Sequence, residues 1–219
     1  MPELDRLAVA ARRLLPPGVA VAAADPRHEA PLWPGEALIG AIPARRREFA
    51  AGRAAARAAM GQLGLPALAV PMQPDRVPLW PEGMTGSITH SATACLAAVT
   101  RRGPLRGLGL DLEPDDPLAP DLWETICLPA ERDWLESQAE AQRGRLALLI
   151  FSAKEAAYKA QYAVSRQLFG FDALHVRIAP ETRGFTATFQ RGIGPFQAGA
   201  RLQGRYAVTQ SHVLTAVVC

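Results

Sequence analysis

Lysine is almost absent from this chain. Of 24 basic residues 22 are arginine, and the two lysines, Lys154 and Lys159, share one short segment, Phe151-Ser152-Ala153-Lys154-Glu155-Ala156-Ala157-Tyr158-Lys159. Cysteine is scarce too: Cys95, Cys127 and Cys219 are scattered without paired spacing, which excludes a disulfide framework and a zinc site. Net charge is small, +3 with a pI near 9.0, too little to argue for nucleic acid but suited to a phosphorylated ligand or an acidic protein partner. Long hydrophobic runs are missing. The charge-free stretch from Leu14 to Ala24 is broken by Pro16 and Pro17 and is too short to cross a bilayer. The opening Met1-Pro2-Glu3-Leu4-Asp5 lacks the basic-then-apolar pattern of a secretory signal. These absences predict a cytoplasmic protein with no membrane and no nucleic-acid partner.

What is present is an ordinary globular composition, 49% hydrophobic and 21% charged over 219 residues. That length suits one larger domain or two of about 100 residues each. Apolar spacing predicts a helix from Leu4 to Leu15, stopped by Pro16-Pro17-Gly18, then a short buried strand from Val19 to Ala24. A second helix is expected from about Ala44 to Leu63, and the Pro- and Gly-rich stretch Pro71 to Gly86 reads as an extended loop. Ser87 to His90, Cys95 to Thr100 and Leu105 to Leu112 read as strands of one sheet. Pro114-Asp115-Asp116-Pro117 with Pro120 breaks regular structure, which sets the expected boundary between residues 1–113 and 114–219. Beyond it, a helix begins at Pro129, a strong helix spans Arg145 to Val164, and strands follow at Leu174–Ala179, Phe185–Gln190, Ala198–Leu202 and Tyr206–Val218. His90-Ser91-Ala92-Thr93 onward echoes Ser211-His212-Val213, a hint of internal duplication.

Two patterns carry chemistry. In Gly109-Leu110-Asp111-Leu112-Glu113-Pro114, strand alternation sends Asp111 and Glu113 to one face. Two adjacent carboxylates repel unless a cation sits between them, and a few hard oxygen ligands suit Mg²⁺. The same pattern also suits two solvated acids at an exposed strand end. Glu155 and Lys159, four residues apart, share a helix face. They fit a surface ion pair, yet Leu146, Leu148, Leu149, Ile150 and Phe151 mark the helix as mostly buried, where a charge requires a partner or a function. His90 closes the small, hydroxyl-rich Gly86-Ser87-Ile88-Thr89-His90-Ser91, which suits either a structural histidine or a ligand group. On the second helix Arg46, Arg53 and Arg57 fall near one line with Arg45 a quarter-turn away, as a binding row or a solvated face would. Arg76 lies in a loop near Trp80, expected to be exposed.

Four ordered blocks spanning roughly Arg45 to Lys159 resemble the 4'-phosphopantetheinyl transferases of the surfactin-synthetase-activating type, in the branch of enterobactin synthase component D. The blocks are Arg45-Arg46-Arg47-Glu48-Phe49 with Gly52-Arg53; Arg76-Val77-Pro78-Leu79-Trp80-Pro81 with Gly86 to Ser91; Gly109 to Glu113; and Phe151 to Lys159. Leu110 and Leu112 stand where isoleucine is common in that family, Phe151 where tryptophan is frequent, and Thr89 in place of serine. The resemblance implies an α+β fold of two pseudo-twofold-related α+β subdomains, with coenzyme A between them. It implies Mg²⁺ on Asp111, Glu113 and Glu155. Lys159, His90 and Thr89 would lie at the phosphates, and Arg45, Arg46, Arg53 and Arg76 at the 3'-phosphate and adenine end. Motif spacing favours Arg45 as the partner of Arg53, whereas helical geometry favours Arg46.

The implied reaction moves phosphopantetheine from coenzyme A to a serine of an acyl or peptidyl carrier protein, releasing adenosine 3',5'-bisphosphate. Glu155 and Lys159 are the expected catalytic residues and a monomer the expected state. The carrier is expected to dock near Pro114 to Leu135, on exposed apolar groups such as Trp123. Two other readings share the residues: a Mg²⁺-dependent phosphodiesterase or nuclease, and a non-catalytic module that binds coenzyme A or a carrier protein.

Overall fold

The computed structural model describes residues 2–219 and divides the chain into two compact units, the first ending at Arg106 and the second running Gly107–Cys219. In the first, helix α1 (Glu3–Leu14) leads through Gly18, at φ +87°, into strand β1 (Val19–Ala24). Helix α2 (Pro43–Gln62) follows, then β2 (Met84–His90) and β3 (Cys95–Arg101). The strands form an antiparallel sheet in the order β1-β3-β2, with Ala22 opposite Ala97 and Gly86 opposite Val99. Proline opens α2, where its missing N–H costs no hydrogen bond. Ala55, Ala56, Ala59 and Met60 of this helix pack on Ala20, Ala22, Ala97 and Val99. Such small side chains let the helix lie close to the sheet.

The second unit opens with strand β4 (Leu108–Pro114) and continues through short helices α3 (Trp123–Ile126) and α4 (Pro129–Glu136) to the long helix α5 (Glu140–Ser165). Strands β5 (Leu174–Ala179), β6 (Gly184–Phe189), β7 (Arg201–Val208) and β8 (His212–Val218) complete it. The sheet is antiparallel in the order β4-β8-β7-β6-β5. Leu149, Ile150, Ala153 and Ala157 of α5 join a core with Val176, Phe185, Phe189, Leu202, Val213 and Val217.

Several expectations are corrected. Leu105 to Leu112 does not extend the first sheet: β4 hydrogen-bonds to β8, nearly a hundred residues on, with Asp111 opposite Thr215. The division accordingly precedes Gly107, rather than following Glu113, because a strand belongs with the sheet that satisfies its backbone groups. The strand expected at Ala198–Leu202 begins at Arg201 and runs to Val208, and Tyr206 to Val218 is two strands joined by a turn in which Thr209 receives the His212 amide. Trp123 and Trp80, expected to be exposed, are half-buried. Trp123 packs against the core of the second unit and donates its indole N–H to the Leu118 carbonyl at 3.0 Å. Trp80 packs against the core of the first.

Candidate active site

In the second unit Gly107, just before β4, and Gly109, Asp111 and Glu113 within it alternate onto one face, and α5 lies against that face. A Cβ built on Gly109 would sit 1.8 Å from the Ala156 carbonyl oxygen, and one on Gly107 2.1 Å from that of Ala160. Glycine on the strand and alanine on the helix therefore set the approach that brings Asp111 within reach of Ser152 and Lys159. Asp111 is 2% exposed. Its Oδ2 accepts the Ser152 hydroxyl at 2.8 Å and its Oδ1 the Lys159 ammonium at 2.5 Å. Thr215, facing Asp111 across the sheet, donates to the Ser152 carbonyl at 2.8 Å and lies 2.8 Å from its hydroxyl. Its role as a brace for Ser152 escaped the sequence reading, since nothing in its local pattern marks it.

The acids next to Asp111 are in electrostatic tension. Glu113 is pushed up to about 7, first by burial and then by the charge of Asp111, with Glu155 adding and Lys159 opposing. Glu155 is raised chiefly by burial, with Lys159 opposing and Asp111 contributing. Burial works against the charge of Lys159, but Asp111, Glu155 and Glu113 outweigh it and hold the ammonium protonated above its usual range. No three acidic, histidine or cysteine side chains among the described residues converge as a ready-made metal cage. The donor chemistry nonetheless fits a hard divalent cation: once ionised, Asp111, Glu113 and Glu155 carry more negative charge than one ammonium offsets.

The two lysines have different fates. Lys154 is 1% exposed and bonds to Glu131 Oε2 at 2.7 Å, the Ile126 carbonyl at 2.8 Å and the Phe171 carbonyl at 3.1 Å. Glu131 in turn accepts the amides of Leu128 at 2.7 Å and Val176 at 2.6 Å. This buried hub ties α3, α4, α5 and β5 together. Beside it, Lys154, Glu155, Tyr158, Phe169, Gly170, Phe171 and Leu174 line a cavity of about 110 Å³.

A second group of candidates lies in the first unit. Arg45 reaches both the His90 imidazole and Glu48, the latter at 3.0 Å, while His90 Nδ1 is 3.6 Å from Glu48. Arg53 is 6% exposed, with its guanidinium 3.7 Å from the Phe49 ring centroid and its Nε donating to the Val70 carbonyl at 3.1 Å. Its Nη2 is a buried donor with no acceptor among the described residues. Burial, reinforced by the charges of Arg45 and Arg57 and opposed by Glu36, lowers Arg53 to about 10. Arg57 is not part of a binding row: it is buried against Glu36, at 2.7 and 2.6 Å, and under Trp33. Arg46 is exposed and borders a separate concavity with Glu29 and Arg47. Arg76 is exposed in a left-handed conformation, φ +69°, with its amide donating to the Gln73 carbonyl at 2.8 Å. Thr89 is buried on β2. Arg45, rather than Arg46, is the arginine joined to His90.

In the second unit a strand and a helix present carboxylates and a protonated lysine, donor chemistry of the kind that suits a cation and a phosphate ester. Residues 107–217 match the family model described as the 4'-phosphopantetheinyl transferase superfamily, and residues 35–100 the model for the 4'-phosphopantetheinyl transferase N-terminal domain. The chain is similar to 4'-phosphopantetheinyl transferase Svp of Streptomyces mobaraensis, 40% identical over 195 residues, covering 85% of this chain and 78% of that protein. It is 36% identical over 202 residues to 4'-phosphopantetheinyl transferase PptT of Mycobacterium tuberculosis, covering 87% and 84%. Enterobactin synthase component D of Salmonella typhi matches over 136 residues at 40% identity, 60% of this chain and 54% of that one. The chain belongs to the 4'-phosphopantetheinyl transferase family. It is an α+β transferase that places phosphopantetheine on carrier proteins, which sets aside the phosphodiesterase and the binding-module readings. No helix among the described residues is long and apolar enough to cross a membrane.

Proposed function

We propose that this enzyme takes phosphopantetheine from coenzyme A, with Mg²⁺ held by Asp111, Glu113 and Glu155, and attaches it to a serine of an acyl or peptidyl carrier protein. The observation that carries the reading is the carboxylate cluster on β4 and α5, whose raised proton affinities at Glu113 and Glu155 call for a cation. Bound Mg²⁺ supplies charge neutralisation at a pyrophosphate. The protein's own groups do the rest. Glu155, made more basic by burial, accepts the proton of the attacking serine hydroxyl, directly or through a water. Lys159 stays charged and stabilises the negative charge growing on the departing phosphate. Ser152 and Lys159 divide the two oxygens of Asp111 between them, which fixes the carboxylate's orientation.

In the first unit, the unanswered buried N–H of Arg53 supports an anion subsite for the 3'-phosphate, with Arg45 and His90 as a second pair of phosphate donors. Thr89, Arg46 and Arg76 belong to the same reading as contacts to coenzyme A. The apolar cavity beside Glu155 suits the uncharged pantetheine arm.

Mass spectrometry of an apo-carrier protein incubated with coenzyme A, Mg²⁺ and this enzyme tests the whole reading. One phosphopantetheine should appear on one serine, and chelation of the metal should stop the reaction. Modification that proceeds unchanged in excess chelator would remove the metal from the mechanism.

A further inference from the structure

The binding motifs leave Glu36 without a role, yet it is among the most heavily bonded side chains in the first unit. It is 4% exposed. Its carboxylate takes both hydrogen bonds from Arg57 Nη1, the Val70 amide at 2.8 Å and the Trp33 amide at 2.9 Å. Val70 is fully buried, and its carbonyl receives Arg53 Nε at 3.1 Å. Pro71 follows Val70 and biases it toward extended backbone, in which the N–H and C=O of one residue point the same way. One residue thus joins the carboxylate that neutralises Arg57 to the arginine that keeps a free donor.

We propose that Glu36 is a positioning residue for the 3'-phosphate subsite: it occupies Arg57 and anchors Val70, so that Arg53 alone presents an unanswered N–H to the ligand. The proposal rests on the reading of Arg53 as a 3'-phosphate contact. Glu36 saturates Arg57, whose Nη2 also donates to the Pro31 carbonyl at 2.8 Å. Among the described residues Arg53 donates to the Val70 carbonyl alone and lies over the face of Phe49. Two buried arginines one helical turn apart would otherwise compete for one anion. The carboxylate decides which is spent on structure and which remains for binding, so the site prefers a doubly charged phosphate at Arg53 over any position near Arg57. Glu36 also opposes the lowering of Arg53's proton affinity and helps keep that guanidinium charged.

The test is calorimetric binding of coenzyme A and dephospho-coenzyme A, which lacks only the 3'-phosphate, to the unmodified protein and to Glu36→Gln, Glu36→Asp, Arg53→Ala and Glu36→Gln/Arg53→Ala. Thermal melts and circular dichroism accompany each variant. The unmodified protein should prefer coenzyme A by tenfold or more. Glu36→Gln should lose most of that preference through weaker coenzyme A binding, while holding dephospho-coenzyme A within about twofold. Glu36→Asp, which keeps the charge, should recover part of it, and it carries the test if Glu36→Gln does not fold. In the Arg53→Ala background Glu36→Gln should add nothing. Equal weakening of both ligands, an unchanged preference, or a full further loss in the Arg53→Ala background overturns the positioning role. No preference in the unmodified protein overturns the reading of Arg53 itself, a distinct result.

Discussion

Asp111, Glu155 and Lys159 make separable demands on chemistry and stability. Glu155 is half-buried and carries a raised proton affinity, so Glu155→Gln keeps its shape and loses both its basicity and its negative charge. Transfer rates should fall by about 10²-fold or more, the scale of a lost general base or metal ligand, while the melting temperature holds or rises. Asp111→Asn should be equally inactive but less stable, because Lys159 loses its closest carboxylate. Single-turnover phosphopantetheine transfer with a parallel thermal melt checks both, and full activity of either variant at saturating Mg²⁺ would sink the site. Glu113 makes a pH prediction. Its folded value of about 7 lies above the ordinary 4.5, so the folded protein binds the extra proton between those two values. That contribution to stability is complete below 4.5 and lost as pH rises through about 7. Metal-free protein should therefore be less stable at pH 8 than at pH 5.5 by about 1 kcal/mol from this group, discounted for its partial exposure. Glu113→Gln should flatten that dependence in urea titrations containing chelator, and Mg²⁺ should stabilise the unmodified protein more at pH 8. The shared face of Asp111 and Glu113 and that of Glu155 and Lys159 were readable from spacing. Glu36, Glu131 and Thr215 were not, because their ionic and long-range partners, Arg57 and Val70, Lys154 and Val176, and Ser152, come from chain segments distant in sequence.

At the scale of elements, the site depends on how closely α5 approaches β4. Gly109→Ala would place a methyl group against the Ala156 carbonyl, and a helix backbone has no rotamer with which to yield. The variant should lose several kcal/mol of stability, in the upper range for overpacked sites, and should lose activity before it unfolds because Lys159 is moved from Asp111. Urea unfolding and a transfer assay at low denaturant measure the two effects. Unchanged stability would mean the approach is looser than described. The Lys154–Glu131 hub is a different case. Removing Lys154 alone, as Lys154→Met, leaves Glu131 buried without its cation and should cost about 3–5 kcal/mol, whereas Lys154→Met with Glu131→Leu should recover a large part. A double variant as unstable as the single one would show that the hub works through the backbone bonds of Glu131 instead. Both α5 and α2 were legible as helices within a few residues, since their apolar and alanine-rich spacing is local. The pairing of β4 was not: a strand's periodicity tells which face is buried but not which partner completes its hydrogen bonds.

For the whole molecule the relevant quantity is charge. A formal +3 is modest, but 22 of the 24 basic residues are arginines, suited to forked contacts with carboxylates. If the carrier is recognised through an acidic face, the second-order rate of its modification should fall as salt rises from about 0.05 to 0.5 M, after subtraction of the salt dependence of coenzyme A binding. A corrected rate that stays flat removes electrostatic steering from the docking model. Trp123 no longer supports that model, since it serves the core; Leu122, 43% exposed beside it, is the apolar group that the same segment leaves to solvent.

The sequence by itself determined the family and its ordered motifs, the carboxylate pair on a strand, the Glu155–Lys159 face of a helix and the mixed α+β character. Each of these depends on residues within a few positions of one another, where periodicity and spacing act directly. Only the tertiary structure decided which sheet owns β4, which lysine is structural and which faces Asp111, and which arginine is spent on Glu36 and which keeps a donor. The reason is physical. Those outcomes rest on hydrogen bonds and ion pairs between groups tens of residues apart, and only the folded core brings such groups to bonding distance.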